Sequence, residues 1–235
     1  MTSAEPDLYF FLSFAGENDT DDARVARFFA ELSEEVGVEA GVGRAEHSSL
    51  GFLSIVNLRL GTDWSEEIAS ALGRCRVFVA LCSPSYFASA SCGVEWRAFT
   101  DRLAAYEREH HRPAPALLPV CWVPMRMPAV ADAIQYTDRQ LSEPMARHGL
   151  RTLMRLEKHR DDYQVFVSEL ARLIVAVGAE HAVPRRWVDR DYYRLPRAFP
   201  APPAPPPPRS PPPKRDDPKL PELDRGDGFP RLHGI

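Results

Sequence analysis

Two apolar runs, YFFLSF at 9–14 and CRVFVALC at 75–82, constrain this chain more than any other feature. Neither alternates polar with apolar residues, as a strand with one wet face does, so each reads as a strand buried on both sides. Strands of that kind belong to parallel sheets covered by helices. The first run breaks abruptly into GENDTDD, and the carboxyl end of such a strand is where open α/β sheets place their ligand sites.

The intervening segments switch to helical spacing. Val25, Phe28, Phe29, Leu32 and Val36 predict a helix that stops at Gly37, with Asp21 and Asp22 suited to its N-terminal dipole. A weak second strand is expected near Val38–Val42, followed by a glycine-, serine- and arginine-containing loop over about 44–61. Asp63 with Glu66 resembles a capping box opening a helix to about Leu72. After the strand at 75–82, SPSYFASAS reads as a loop, and Cys92, Trp96, Phe99 and Leu103 mark the next helix. PALLPVCWV is a further strand, which Pro119 assigns to an irregular or edge position. Tyr163, Phe166, Val167, Leu170, Ile174 and Val177 form a last amphipathic helix, stopped by Gly178. Repeated βα units of this kind predict an α/β, flavodoxin-like, doubly wound parallel sheet.

Proline sets the domain boundary. Of 23 prolines, 15 fall between Pro184 and Pro230, and ten of the fourteen residues 200–213 are proline. Such sequence favours extended polyproline II and builds neither a helix nor a central strand. The division is therefore a folded domain at 7–181 and a Pro/Arg-rich, disordered tail at 182–235. The tail carries eleven Lys/Arg against seven Asp/Glu, and since the whole chain is −4, the body is −8. Its P-x-x-P stretch with basic flanks has the form that aromatic-lined grooves recognise. RRWVDRDYYR at 185–194 packs back on the acidic body, binds an acidic partner or, least in keeping with that body, stacks on single-stranded nucleic acid.

Several functions are excluded. An acidic body gives no general reason to expect nucleic-acid binding. No apolar stretch is long enough to span a bilayer and the start MTSAEPD is unlike a signal peptide, so a cytoplasmic location is expected. Cys75, Cys82, Cys92 and Cys121 show no metal-ligand spacing, and no metal is expected. A phosphoacceptor receiver needs an Asp after a later strand, where Ser83-Pro84 stands, and a Lys near the last strand. Only Lys158, after LMRLE, offers that, with LMRLE then read as the strand. GVGRAE at 41–46 lacks the third glycine of a dinucleotide loop.

Glu95 stands out beside the apolar stripe of its helix. Its i+3 and i+4 neighbours are Ala98 and Phe99, so no intrahelical cation pairs with it. Placed in the first helical turn, it reads as an acid serving the dipole or as the partner of a distant arginine. It reads equally as a carboxylate facing the sheet's crevice, able to stabilise an oxocarbenium-like ribosyl transition state.

YFFLSFAG resembles the first box of TIR domains, LGTDW at 60–64 their glycine and tryptophan before the second helix, and CRVFVALCSPSYFASASCGVEW their third strand, S-x-x-Y turn and W-C-x-x-E helix start. With CGVEW and the tail, the chain is similar to the bacterial TIR-like proteins of the FxsC type, associated with clusters that make FxSxx-ended ribosomal peptides. The resemblance implies that Glu95 matches the glutamate that cleaves NAD in active members, and that Ser13, Phe14, Ser91 and Cys92 line its pocket. Ser91 stands where the family has tryptophan. The loop at 44–61 then corresponds to the BB loop, with Arg44 and Arg59 as its cations and Trp64 at its end. Two functions follow from the resemblance: an interaction and signalling module acting through self-association or protein partners, and an NAD glycohydrolase, with NAD as substrate and no cofactor.

Overall fold

A computed structural model describes residues 6–16, 18–55, 64–132, 134 and 143–199. Strands β1 (Leu8–Phe14), β2 (Gly51–Ile55), β3 (Cys75–Cys82) and β4 (Leu117–Cys121) form a sheet of order β2-β1-β3-β4, with every described pair parallel. The main helices are α1 (Asp19–Glu39), α2 (Trp64–Arg74), α3 (Pro84–Ala88), α4 (Ala90–His110) and a last helix, Arg160–His181. This is the flavodoxin-like α/β arrangement that the alternating pattern predicts.

The two apolar runs owe their composition to position. β1 and β3 have a strand on each side and helices above and below. Adjacent side chains on a strand point to opposite faces, and Phe10 and Phe11 show where they go. Phe10 meets Phe29 of α1, with ring centres 5.5 Å apart. Phe11 stacks on Phe78, which stacks in turn on Phe99 of α4. Thus α1 and the last helix pack together on one face, while α2 and α4 share the other. Pro119 is accommodated in β4 at the end of the described sheet, where its missing donor costs least.

Both glycine stops expected from the sequence fail. α1 runs through Gly37 to Glu39, and its left-handed turn is supplied by Gly41 at φ +66° instead. Gly37 is needed for contact, since a Cβ there would lie 2.3 Å from the His47 ring. Gly178 likewise sits inside the last helix, with Arg76 against it. The strand expected at Val38–Val42 is consumed by the end of α1 and its turn, and β2 starts at Gly51 after a 3-10 turn at Arg44–Ser49. SPSYFASAS is not a plain loop: Ser83 caps α3, accepting from the Tyr86 N–H at 3.0 Å. The segment holding LMRLE is helical over Leu150–Arg155.

The chain stays on the domain beyond the compositional boundary at 181. Val183, Tyr192 and Phe199 are buried, and a 3-10 turn at Arg190–Arg194 packs on α2 and α4. No described helix is long and apolar enough to cross a membrane.

Candidate functional site

Ser13 and Ser54 are register partners near the carboxyl ends of β1 and β2, so their side chains emerge side by side on one face. That face is the one α4 covers. Ser89 caps α4 by accepting from the Cys92 N–H, and the helix brings Glu95 over the two serines. Ser13 Oγ donates to Glu95 Oε2 at 2.5 Å, and Ser54 Oγ donates to Glu95 Oε1 at 2.5 Å. Tyr86, set by α3, donates its hydroxyl to Ser13 Oγ at 3.2 Å. One carboxylate is therefore gripped at both oxygens by two different strands.

The electrostatics of this cluster are unusual. Glu95 is 1% exposed and has no arginine, lysine or histidine against it among the described residues. Burial pushes its carboxyl up to about 7, and the two serine hydroxyls only partly offset that. Burial, followed by the neighbouring Glu95, also raises the Cys92 thiol. Tyr192 is raised by burial and then by the proximity of Glu95 and Cys92. A buried carboxyl raised to about 7 and held only by neutral hydroxyls has the profile of a functional group.

The sequence-derived residues divide here. Glu95, Ser13 and Cys92 come together, all buried. Phe14 does not join them: it points to the opposite face and meets Trp122 edge-on, ring centres 5.5 Å apart. Ser91 is exposed at the start of α4. Glu95 is in the second turn of α4, past the reach of the terminal dipole, because the helix begins at Ala90. Arg44 opens the 3-10 turn before β2 and pairs with Glu34 at 3.2 Å on the surface. Arg59 lies outside the described residues. Trp64 opens α2, and its side chain is also outside them.

Three participants escaped the sequence reading. Ser54 is the single polar residue in GFLSI, and that strand was placed too early in the chain. Tyr86 belongs to the quoted S-x-x-Y turn, without a role assigned to it. Tyr192 sits in a segment read as tail.

A family model described as TIR domain matches residues 10–154, well over half the chain. No curated protein and no solved structure matches.

Proposed function

This chain belongs to the TIR-domain family, and from that premise we propose that it is an N-ribosyl hydrolase acting on NAD, with Glu95 as the catalytic carboxylate. The carrying observation is that Glu95 is buried without a cation, held only by Ser13 and Ser54. Leaving an acid in that setting costs stability that an apolar side chain would not. A structural role would be served better by an ion pair, which is how Asp21 is handled elsewhere in the domain.

The chemistry needs little else. Breaking the C1′–N bond sends its electron pair to neutral nicotinamide and leaves a ribosyl cation. Ionised Glu95 faces that cation and stabilises it electrostatically. Water then adds its oxygen to C1′ and releases a proton to solvent. Ser13 and Ser54 hold the carboxylate in place throughout. Of the acids after β1, Asp21 is neutralised by Arg24 and Arg151.

The test is direct. Concentrated full-length protein is incubated with NAD, and free nicotinamide is quantified by chromatography beside Glu95→Gln. Release that falls on the order of a hundredfold or more in the variant supports the reading. Equal release from both overturns it.

A second reading is a signalling module that works through self-association or protein partners. It is favoured by Ser91, which stands where a stacking tryptophan is expected and points to solvent. The Glu95 cluster then serves to dock α4 on the sheet. The likeness to FxsC-type proteins extends either reading to service in a peptide-making system.

A further inference from the structure

We propose that residues 183–199 form a strap that covers the buried Glu95 cluster across α2 and α4, so that the cluster becomes reachable only when the strap lifts. This rests on the hydrolase reading of Glu95 for its consequence, but its geometry stands by itself. The strap lies beyond the family match, which ends at residue 154.

The strap is pinned at both ends. At its start, Arg102 of α4 is buried and donates to the Pro184 carbonyl at 3.0 Å, with the same guanidinium bonded to the Leu72 and Cys75 carbonyls. Arg185 pairs with Asp7, and the Arg186 N–H bonds the Gly73 carbonyl of α2 at 3.0 Å. At its far end, the Ala198 N–H bonds the Gly93 carbonyl at 3.0 Å, less than one turn before Glu95. Phe199 closes the clasp. Its ring is packed among Tyr86, Phe87 and Trp96, with centres 4.9–5.8 Å away. Tyr86 is the residue that donates to Ser13, and Trp96 adjoins Glu95, so this anchor rests on the cluster itself.

Between the ends, Tyr192 dips into the groove formed by α2 and α4. It is 8% exposed and stands near enough to Glu95 and Cys92 to feel both. The middle of the strap is otherwise loosely seated. A cavity of about 530 Å³ separates it from α4, bordered by Arg102, Arg108, Trp187, Tyr192 and Leu195. Trp187 is 82% exposed. An element with an underpacked middle suits a displaceable cover, since lifting that middle sacrifices few contacts once an end is released. The Pro-rich sequence starts at Pro200, directly after the Phe199 anchor, and gives a partner a handle on that end.

The domain's own sequence is cut to receive the strap. Gly73 and Gly93 are both inside helices, where glycine is a poor choice. A Cβ on Gly73 would lie 2.5 Å from the Arg186 carbonyl oxygen, and one on Gly93 would lie 3.3 Å from both Arg197 Cβ and Phe199 Cδ2. Alanine at these positions favours the helices and disfavours only the strap.

That asymmetry supplies the test. Full-length wild type, the Gly73→Ala/Gly93→Ala double variant and, as a second route, Phe199→Asp are treated with a thiol alkylator under native conditions. Labelling of Cys92, close to Tyr192 of the strap, is followed by peptide mapping against Cys121 at the end of β4. The expected result is Cys92 labelling faster on the order of tenfold in both variants, Cys121 unchanged, and faster nicotinamide release from NAD. Unchanged Cys92 protection in both variants overturns the strap as a cover. Parallel acceleration of Cys92 and Cys121 makes it a brace for the whole domain, which also overturns it. Selective exposure of Cys92 with no nicotinamide from any protein upholds the strap and defeats the hydrolase reading.

Discussion

Asp21 and Glu95 are both buried carboxylates, 0% and 1% exposed, and the domain treats them in opposite ways. Asp21 opens α1, where Arg24 reaches it at 2.8 Å, Arg151 at 3.0 Å and the Asn18 amide at 3.2 Å. Burial alone would raise its carboxyl, but Arg151, Asn18 and Arg24 together outweigh that and hold it below the usual range. Glu95 receives two neutral hydroxyls and no cation, and burial prevails. Asp21 is therefore held toward its ionised form, whereas Glu95 stands ready to gain or lose a proton near neutrality. One acid ties helix to helix. The other is kept uncompensated at the end of the sheet where open α/β folds bind ligands.

The two acids should give stability profiles of opposite slope. Glu95 has a native value of about 7 against 4.5 for the unfolded chain. Its contribution is fully present below the unfolded value and is lost as pH rises through the native one. At 1.36 kcal/mol per unit, the swing is about 3 kcal/mol at most. Urea unfolding of wild type and Glu95→Gln from pH 4.5 to 8.5 measures it: the variant gains on wild type as pH rises. A difference that does not vary with pH would show that Glu95 is not perturbed, and the contrast with Asp21 would collapse.

Asp21→Asn should cost about 2 kcal/mol at neutral pH, the scale of hydrogen bonds to charged groups. Its partners Arg24 and Arg151 are 28% and 33% exposed, so water relieves part of their lost pairing. The sign with pH is reversed, because a lowered carboxyl stabilises above its unfolded value of 3.8 and the benefit fades as pH falls through the native value. Urea unfolding carried below pH 3.8 on this variant should thus lose the acid limb of the profile and keep the neutral one.

How much of this could be read in the sequence follows from what each residue reports locally. β1 and β3 were legible because burial on both faces leaves a continuous apolar run. Glu95 was legible through its lack of a cation at helical spacing and through the resemblance of CGVEW. Gly37 and Gly178 misled, since a glycine need not mark a helix end: His47 presses on Gly37, while Gly178 sits within its helix in ordinary contact with Arg76. Reading Gly37 as a stop moved the second strand to Val38–Val42 and hid Ser54, which is recognisable only once β2 is in register with β1. The strap was hidden by averaging. Proline content draws the boundary near 182, yet Tyr192 and Phe199 are individually as buried as core residues.

The smallest predicted effect discriminates between the two serines. Ser54→Ala removes one donor to Glu95 Oε1 and leaves no other known partner behind, so a loss of about 1 kcal/mol is expected. Ser13 sits between two partners, accepting from Tyr86 and donating to Glu95. Ser13→Ala therefore strands two buried groups and should cost roughly another 1 kcal/mol. Both variants must push the Glu95 carboxyl above 7, because each hydroxyl favours its ionised form. Infrared titration of the carboxyl band, with Glu95→Gln to assign it, reads that shift directly. An upward shift in both with a larger stability loss for Ser13→Ala sharpens the picture of a carboxylate poised by neutral donors. A downward shift in either would mean that the hydroxyls act as packing and leave the charge to be governed by something else.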